Sequence, residues 1–181
     1  YRGSIGRLVF KRYKGRTIVS KKPVVTAEPS PAQLAQRQRF KEGAAFAKFA
    51  QADPDLRAFY EPIALRREIS VFALAMGDFL TKPSIKSLDL SNYQGRVGDI
   101  ISITATDDIG LADVDVNMIS NQGTPIERGK AVETGVGSGK WTYTATAPVA
   151  FGSAIFIDVV VVDHAGNKAK LTENPRVGED G

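Results

Sequence analysis

The apolar positions of this chain change their period near Pro83. Ahead of Pro83 they recur about every three to four residues, which is typical of amphipathic helices. After it they alternate with polar positions, which is typical of strands with one buried face. The clearest alternation is that of Val114, Val116 and Met118 with Asp113, Asp115 and Asn117. The change of period predicts an α+β protein, in which residues 1–83 contain a helical unit and residues 84–172 are all-β.

Helix-start signals mark the helical unit. Ser30 and Gln33 have the spacing of a capping box. Asp53 before Pro54 repeats the cap, and Ser70 is placed to cap one more helix. We therefore predict a unit of two to three helices, which is small for independent stability and needs support from the rest of the chain.

A β-hairpin is predicted in front of the helices. The β-rich stretches 8–10 and 17–19 flank Gly15, and glycine supplies the positive φ that a tight turn requires. An isolated hairpin is marginal in water, so we expect this one to rest on the helices or on another chain. A proline-rich linker, residues 22–31, connects it to the first helix.

The region after Pro83 contains about seven predicted strands at the spacing of a β-sandwich. The stretch 155–162 is apolar on both faces apart from Asp158, which indicates a central strand. Residues 163–167 are rich in turn formers and predict a turn. Residues 173–181 are expected to form a polar tail.

Two stretches of this region carry a family pattern. They comprise Val97, Gly98, Asp99, Ile101, Ile103, Ala105, Asp107 and Asp108, and then residues 161–169 with the ending D-x-A-G-N-x-A. On these residues the β-rich half resembles bacterial immunoglobulin-like modules. The resemblance implies an immunoglobulin-like sandwich, a fold that commonly serves as a spacer, an adhesin or an assembly part. The front half, with its basic hairpin and the stretches SPAQLAQRQRF (30–40) and DPDLRAFYEPIA (53–64), is similar to uncharacterised bacterial proteins of phage-like or mobile elements. This similarity transfers no functional residue.

Charge is distributed unevenly along the chain. The net charge is +4, yet residues 1–60 carry +9 and residues 84–181 carry −5. Residues 1–22 contain eight basic side chains and no acidic one. Seven of them are candidate contacts for a partner: Arg7, Lys11, Arg12, Lys14, Arg16, Lys21 and Lys22. A protein partner, a nucleic acid or an anionic membrane would each fit such a segment.

Catalytic equipment is sparse in the sequence. The absence of cysteine excludes thiol nucleophiles and thiolate metal sites, and it leaves the compartment open. His164 is the sole histidine and falls in a predicted turn, where we expect an exposed side chain without a catalytic partner. Residues 135–140 resemble a phosphate-binding loop, but Thr134 and Trp141 occupy the positions where such a loop needs glycine and serine or threonine. We interpret it as a hairpin loop.

Four aspartates near one hairpin end offer a possible metal site: Asp107, Asp108, Asp113 and Asp115. Calcium takes six to eight oxygen ligands, so Asp107 and Asp108 could contribute to a calcium site. Because the EF-hand spacing is missing, an acidic solvated face is the preferred interpretation, and no metal or other cofactor is predicted.

The sequence therefore predicts a non-enzymatic structural or assembly protein. The sandwich would act as a spacer, and the basic N-terminal region would contact a protein partner or a neighbouring subunit. Nucleic-acid binding by the basic region and ligand or glycan recognition by the sandwich loops are the alternatives. No transmembrane segment is predicted, since the longest apolar run covers only residues 71–76. The chain begins with Tyr1, so a signal peptide removed ahead of it is compatible with the sequence and localisation stays open.

Overall fold

Three helices and eleven strands make up the regular structure of the described residues, 3–13, 15–22 and 28–178, in a computed structural model of the chain. The strands form three antiparallel sheets, so the predicted α+β class is confirmed. The chain divides into two units, residues 1–38 and 39–181. None of the described helices combines the length and the apolar character needed to cross a membrane.

The first unit contains a three-stranded sheet in the order β1-β2-β3. Its strands are β1 (Gly3–Ile5), β2 (Leu8–Tyr13) and β3 (Arg16–Lys21). Strands β2 and β3 form the expected hairpin, in which Gly15 has a φ of +78°. Strand β1 adds to the hairpin and was not predicted. Residues 23–27 of the predicted linker and Lys14 lie outside the described residues.

The three helices begin where their caps predict. They are α1 (Pro31–Ala52), α2 (Pro54–Arg66) and α3 (Val71–Leu80). The capping box is present, because the Ser30 N–H donates to Gln33 Oε1 at 3.1 Å and the Gln33 N–H donates to Ser30 Oγ at 3.3 Å. Asp53 and Ser70 accept from backbone N–H groups at the starts of α2 and α3. The side chains buried between the helices are Ala47, Ala50, Tyr60, Ala64, Leu74 and Ala75.

Eight strands follow the helices, one more than the seven or so predicted. They are β4 (Ser84–Asp89), β5 (Ile100–Thr106), β6 (Leu111–Ser120), β7 (Pro125–Lys130), β8 (Val132–Glu133), β9 (Lys140–Thr144), β10 (Ile155–Asp163) and β11 (Lys168–Glu173). One sheet has the order β4-β5-β9-β8 and the other β11-β10-β6-β7. The predicted central position of β10, between β11 and β6, is confirmed.

The two four-stranded sheets share one hydrophobic core, so their inner faces pack against each other. Ile101 and Ile103 of β5 and Tyr143 of β9 meet Val116 of β6 and Val159 of β10 in this core. The alternation in the sequence explains the arrangement, since every second residue of β5, β6 and β10 points inward. We call the pair of sheets the sandwich; its immunoglobulin-like identity stays a prediction.

Candidate functional site

Three aspartates from three different elements meet at one end of the sandwich. Asp78 belongs to α3, Asp107 follows β5, and Asp163 ends β10. One carboxylate oxygen from each lies within 4.8 Å of the others. Asp78 is 1% exposed and Asp163 is 2% exposed, whereas Asp107 is half-buried. We refer to these three residues as the acidic cluster.

The strand period places two members of the acidic cluster. Inward-facing residues of β10 run from Ile155 to Val161, and Asp163 occupies the next inward position. The inward face of β5 likewise ends at Ala105, and Asp107 stands two residues later. Each inner face therefore changes from an aliphatic side chain to a carboxylate at the same end of the core. Asp78 approaches this end from α3, a helix that is otherwise almost wholly apolar.

Hydrogen bonds satisfy four of the six carboxylate oxygens. The Tyr60 hydroxyl donates to Asp78 Oδ2. The N–H groups of Ile109 and Gly110 donate to Asp107 Oδ2 at 3.0 Å and 3.4 Å. Asn167 donates its backbone N–H to Asp163 Oδ1 at 2.7 Å and its side-chain Nδ2–H to Asp163 Oδ2 at 2.8 Å. The other two oxygens, Asp78 Oδ1 and Asp107 Oδ1, are buried and have no hydrogen-bond partner. Unpartnered buried carboxylate oxygens are costly, so this pair marks the centre of the candidate site.

Burial shifts the acidity of the cluster. Loss of solvent raises the pKa of Asp78 to about 7, opposed by the bond from Tyr60 and supported by repulsion from Asp163 and Asp107. Burial also raises the pKa of Asp163, while its bonds from Asn167 act in the opposite direction. Among the described residues, no lysine or arginine forms an ion pair with any of the three carboxylates. The cluster therefore concentrates negative charge or protons without a compensating side-chain cation.

His164 adjoins the cluster and stacks on Phe59 of α2. The ring centroids are 3.6 Å apart, and the ring planes make an angle of 24°. The prediction of a turn at residues 163–167 is confirmed. The prediction of an exposed side chain is wrong, because α2 covers the ring and leaves it only partly accessible. Burial lowers the pKa of His164, which favours the neutral imidazole.

Two further contacts join the helices to the sandwich. Asn167 Nδ2 lies 2.8 Å from Thr81 O, 3.1 Å from Asp78 O and 3.3 Å from Phe79 O, so it donates to the carbonyl oxygens at the end of α3. Arg67, after α2, donates to Asp108 Oδ2 and to the Asp108 backbone oxygen, both at 2.7 Å. We call the contacts of Asn167 and Arg67 the helix–sandwich joint.

The joint also shows where the two candidate calcium ligands lie. Asp107 belongs to the acidic cluster, whereas Asp108 points outward to Arg67. Asp113 and Asp115 lie on β6 and form cross-strand ion pairs with Lys130 and Arg128 of β7. Of the four aspartates noted in the sequence, only Asp107 contributes to the cluster.

The basic residues of the N-terminal sheet are exposed and divided between its faces. Paired residues of adjacent antiparallel strands share a face, and the register pairs Arg12 with Thr17 and Lys21 with Leu8 on one face. Lys11 and Arg16 lie on the opposite face. Arg7 and Lys22 flank the strands, and the Lys22 N–H donates to the Arg7 carbonyl. The nucleic-acid alternative stays a prediction, and the strands do not gather these charges into one stripe.

The glycine-rich loop at residues 135–140 connects β8 to β9, as the hairpin interpretation requires. Glu133 accepts hydrogen bonds from the N–H groups of Gly137 at 3.2 Å and Gly139 at 3.0 Å. A carboxylate of the chain itself therefore binds amides that a phosphate would need.

Sequence reasoning missed Asp78, Asp163 and Tyr60 as members of one site. A usable signal existed for Asp163, since the inward period of its strand continues through it. The polar Asp78 within an apolar helix was a second signal. Their proximity depends on how α3 packs on the sandwich, and periodicity carries no information about that packing.

No family model and no curated protein matches the sequence. Among solved structures, the chain is similar to "surface layer protein SbsC, domains 1-6", with a TM-score of 0.37 and 14% sequence identity. The match covers 80% of this chain and 24% of that chain, so the present chain spans about a quarter of its length. A likeness this distant carries no conclusion about function.

Proposed function

We propose that this protein is a non-enzymatic assembly module. In this proposal, the helices and an immunoglobulin-like sandwich form a stiff spacer, and the N-terminal sheet binds the same sheet of a second copy. The β-rich half supports the spacer role by its bacterial immunoglobulin-like sequence pattern and its two packed sheets.

The main support for self-association is the exposed apolar face of the N-terminal sheet. The strand register places Ile5, Leu8, Phe10 and Val19 on one face, with Arg12 and Lys21 of the same face on either side of them. Ile5 is 63% exposed, Leu8 42% and Val19 51%. A small sheet needs a covered hydrophobic face to be stable in water. A second copy would cover this apolar sheet face with an equally apolar one, as in symmetric dimers.

The helix–sandwich joint supports the idea of a stiff spacer. Asn167 and Arg67 connect the ends of α3 and α2 to loops of the sandwich. Relative motion of helices and sheets would break these hydrogen bonds and expose the buried Asp78. A spacer that keeps its shape can hold two attached surfaces at a fixed distance.

Two neighbouring residues on β3 provide a matched test in the full chain. Val19 lies on the apolar sheet face, and Ile18, which is 48% exposed, lies on the opposite face. We expect the unchanged protein to self-associate in sedimentation velocity experiments over a range of concentrations. Val19→Lys should weaken this association by roughly tenfold or more, because it places a charge in the apolar contact. Ile18→Lys adds the same charge on the same strand and should weaken it much less.

Two outcomes would overturn the proposal. A protein that stays monomeric at every concentration does not assemble through this sheet. Equal weakening by both substitutions would assign the effect to charge and not to the apolar sheet face. Circular dichroism of both variants checks that the substitutions leave the fold intact.

A further inference from the structure

We propose that the acidic cluster of Asp78, Asp107 and Asp163 binds one divalent cation, with Ca²⁺ as the ion whose chemistry fits best. The ion would connect α3 with the ends of β5 and β10, since each element supplies one carboxylate. This proposal is independent of self-association through the N-terminal sheet.

The unpartnered oxygens point to a ligand. Asp78 is almost completely buried, and its Oδ1 has no hydrogen-bond partner although its Oδ2 accepts from Tyr60. Asp107 Oδ1 is also buried and has no hydrogen-bond partner. Calcium binds carboxylate oxygens at about 2.3–2.6 Å, so oxygens on opposite sides of the ion are about 5 Å apart. The observed spacing, within 4.8 Å for all three residues, agrees with that geometry.

Charge balance favours a cation over a proton. A proton shared by Asp78 and Asp107 would satisfy both free oxygens, but Asp163 would keep its negative charge beside them. A divalent cation offsets two of the three negative charges and a proton offsets one, and no described lysine or arginine pairs with these carboxylates. The neighbouring titratable groups are Tyr60 of α2, which carries no positive charge in either form, and His164 of the turn, which stacks on Phe59 and forms no ion pair with the three carboxylates.

Asp107 is the most exposed residue of the cluster. Asp78 and Asp163 are closed off by protein, whereas Asp107 is half-buried. Calcium requires six to eight ligands, so water would complete the coordination on the Asp107 side. Oxygen ligands alone favour Ca²⁺ or Mg²⁺ over softer metals. Mg²⁺ demands a stricter octahedron and keeps its water more firmly, so we expect it to bind more weakly than Ca²⁺.

Calorimetric titration of the full chain with Ca²⁺, after removal of metals with a chelating resin, tests the proposal. We expect one ion per chain and, at a hundredfold excess over Kd, a rise in Tm of about 5–10 °C. Asp107→Asn should weaken binding by roughly tenfold or more while keeping an oxygen that can accept from the N–H groups of Ile109 and Gly110. Asp113→Asn is the matched control, because Asp113 lies outside the cluster and pairs with Lys130. It should leave Ca²⁺ binding unchanged.

Terbium luminescence locates the ion independently. Tb³⁺ replaces Ca²⁺ in oxygen sites, and a nearby tyrosine transfers excitation energy to it. Tyr60 contacts Asp78 directly, so Tyr60→Phe should reduce the Tb³⁺ emission of the bound ion severalfold, and added Ca²⁺ should displace it. Emission that is unchanged in Tyr60→Phe would place the ion elsewhere.

Three results would overturn the proposal. The first is an absence of Ca²⁺ binding to the full chain, which would leave a shared proton as the partner of the two free oxygens. The second is full binding in Asp107→Asn, which would place the ion outside the cluster. The third is tighter binding of Mg²⁺ than of Ca²⁺, which would remove the assignment to calcium.

Discussion

Asp163 and Asp78 occupy positions where the surrounding residues are hydrophobic. Asp163 extends the inward face of β10, and Asp78 lies among the apolar residues of α3. An uncompensated carboxylate at such a position destabilises the fold, so its persistence requires a partner, a proton or an ion. Tyr60 and Asn167 provide partners for both residues but leave one oxygen of Asp78 free. The chemistry of this site depends on whether a proton or a metal ion binds to that oxygen.

Asp78→Asn is expected to change the pH dependence of stability in the metal-free protein. The folded pKa of Asp78, about 7, lies above its ordinary value of 3.8, so the folded chain binds more protons between these values. The stabilising contribution is therefore complete below the ordinary pKa and is lost as the pH rises toward 7. Without Asp78 this loss disappears, so the variant should gain stability relative to the unchanged protein between about pH 5 and about pH 8.

Urea unfolding in the presence of a chelator measures the free energy of unfolding of the unchanged protein and of Asp78→Asn at about pH 5 and about pH 8. His164 has the opposite effect on stability, since its lowered pKa makes acid destabilising, but it is present in both proteins. Asp163 contributes with the same sign as Asp78 and is also common to both. Parallel changes in the two free energies of unfolding would contradict the raised pKa of Asp78.

At the scale of the elements, sequence signals succeeded where the deciding interactions are local. The caps at Ser30, Asp53 and Ser70 predicted the helix starts, because each bond spans only two or three residues. The period of two predicted the inner faces for the same reason, and the apolar residues on both faces of 155–162 predicted the central place of β10. Strands β1 and β8 have three and two residues and are too short to produce a period.

The candidate site was predicted only in part, and the reason is physical. Asp107 was a candidate ligand, but its partners Asp78 and Asp163 come from distant parts of the chain. Asp163 was interpreted as a turn residue, which its bonds with Asn167 support, but its proximity to Asp78 depends on the packing of α3. Asp108 was grouped with Asp107 because they are adjacent, but in the bend after β5 its side chain pairs with Arg67 and lies outside the cluster.

Helix α2 contains a proline whose replacement should stabilise the protein. Pro62 lies inside the helix, is exposed, and cannot donate to the carbonyl of Ala58. Pro62→Ala restores that hydrogen bond and removes the steric conflict of the ring, and the gain is offset partly by a more flexible unfolded chain. We expect a net increase of about 1–2 kcal/mol in the free energy of unfolding.

Urea unfolding compares Pro62→Ala with Glu61→Ala as the control. Glu61 is the neighbouring residue and forms an exposed i,i+4 ion pair with Arg57, whose loss should cost about 0.3–0.5 kcal/mol. A loss of stability in Pro62→Ala would show that the ring makes contacts that outweigh its effect on the helix.

At the scale of the whole molecule, the helix–sandwich joint determines whether residues 39–178 unfold together. The helices bury few large side chains of their own, the largest being Tyr60 and Leu74. Such a small unit has little independent stability, so its persistence depends on contacts with the sandwich. Asn167, Arg67 and the Phe59–His164 stack provide those contacts.

We expect helices and sandwich to unfold in one transition. Trp141 is the single tryptophan and reports on the sandwich by fluorescence, while far-ultraviolet circular dichroism reports on the helices. The two urea curves should coincide for the full chain. Substitution of both Arg67 and Asn167 by alanine should separate them, with the helices unfolding at lower urea. Arg57→Ala, which alters an exposed pair within α2, should leave the curves coincident.

The joint also has a consequence for rates. Its contacts connect α2 to the loop after β5 and α3 to the turn after β10, over sequence separations of 41 and 86 residues, so we expect them to form late in folding. Contacts that are absent from the folding transition state slow unfolding without accelerating folding. The joint therefore lengthens the lifetime of the native state more than it speeds its formation. A long-lived native state resists forced opening and irreversible thermal inactivation, which equilibrium stability alone does not guarantee.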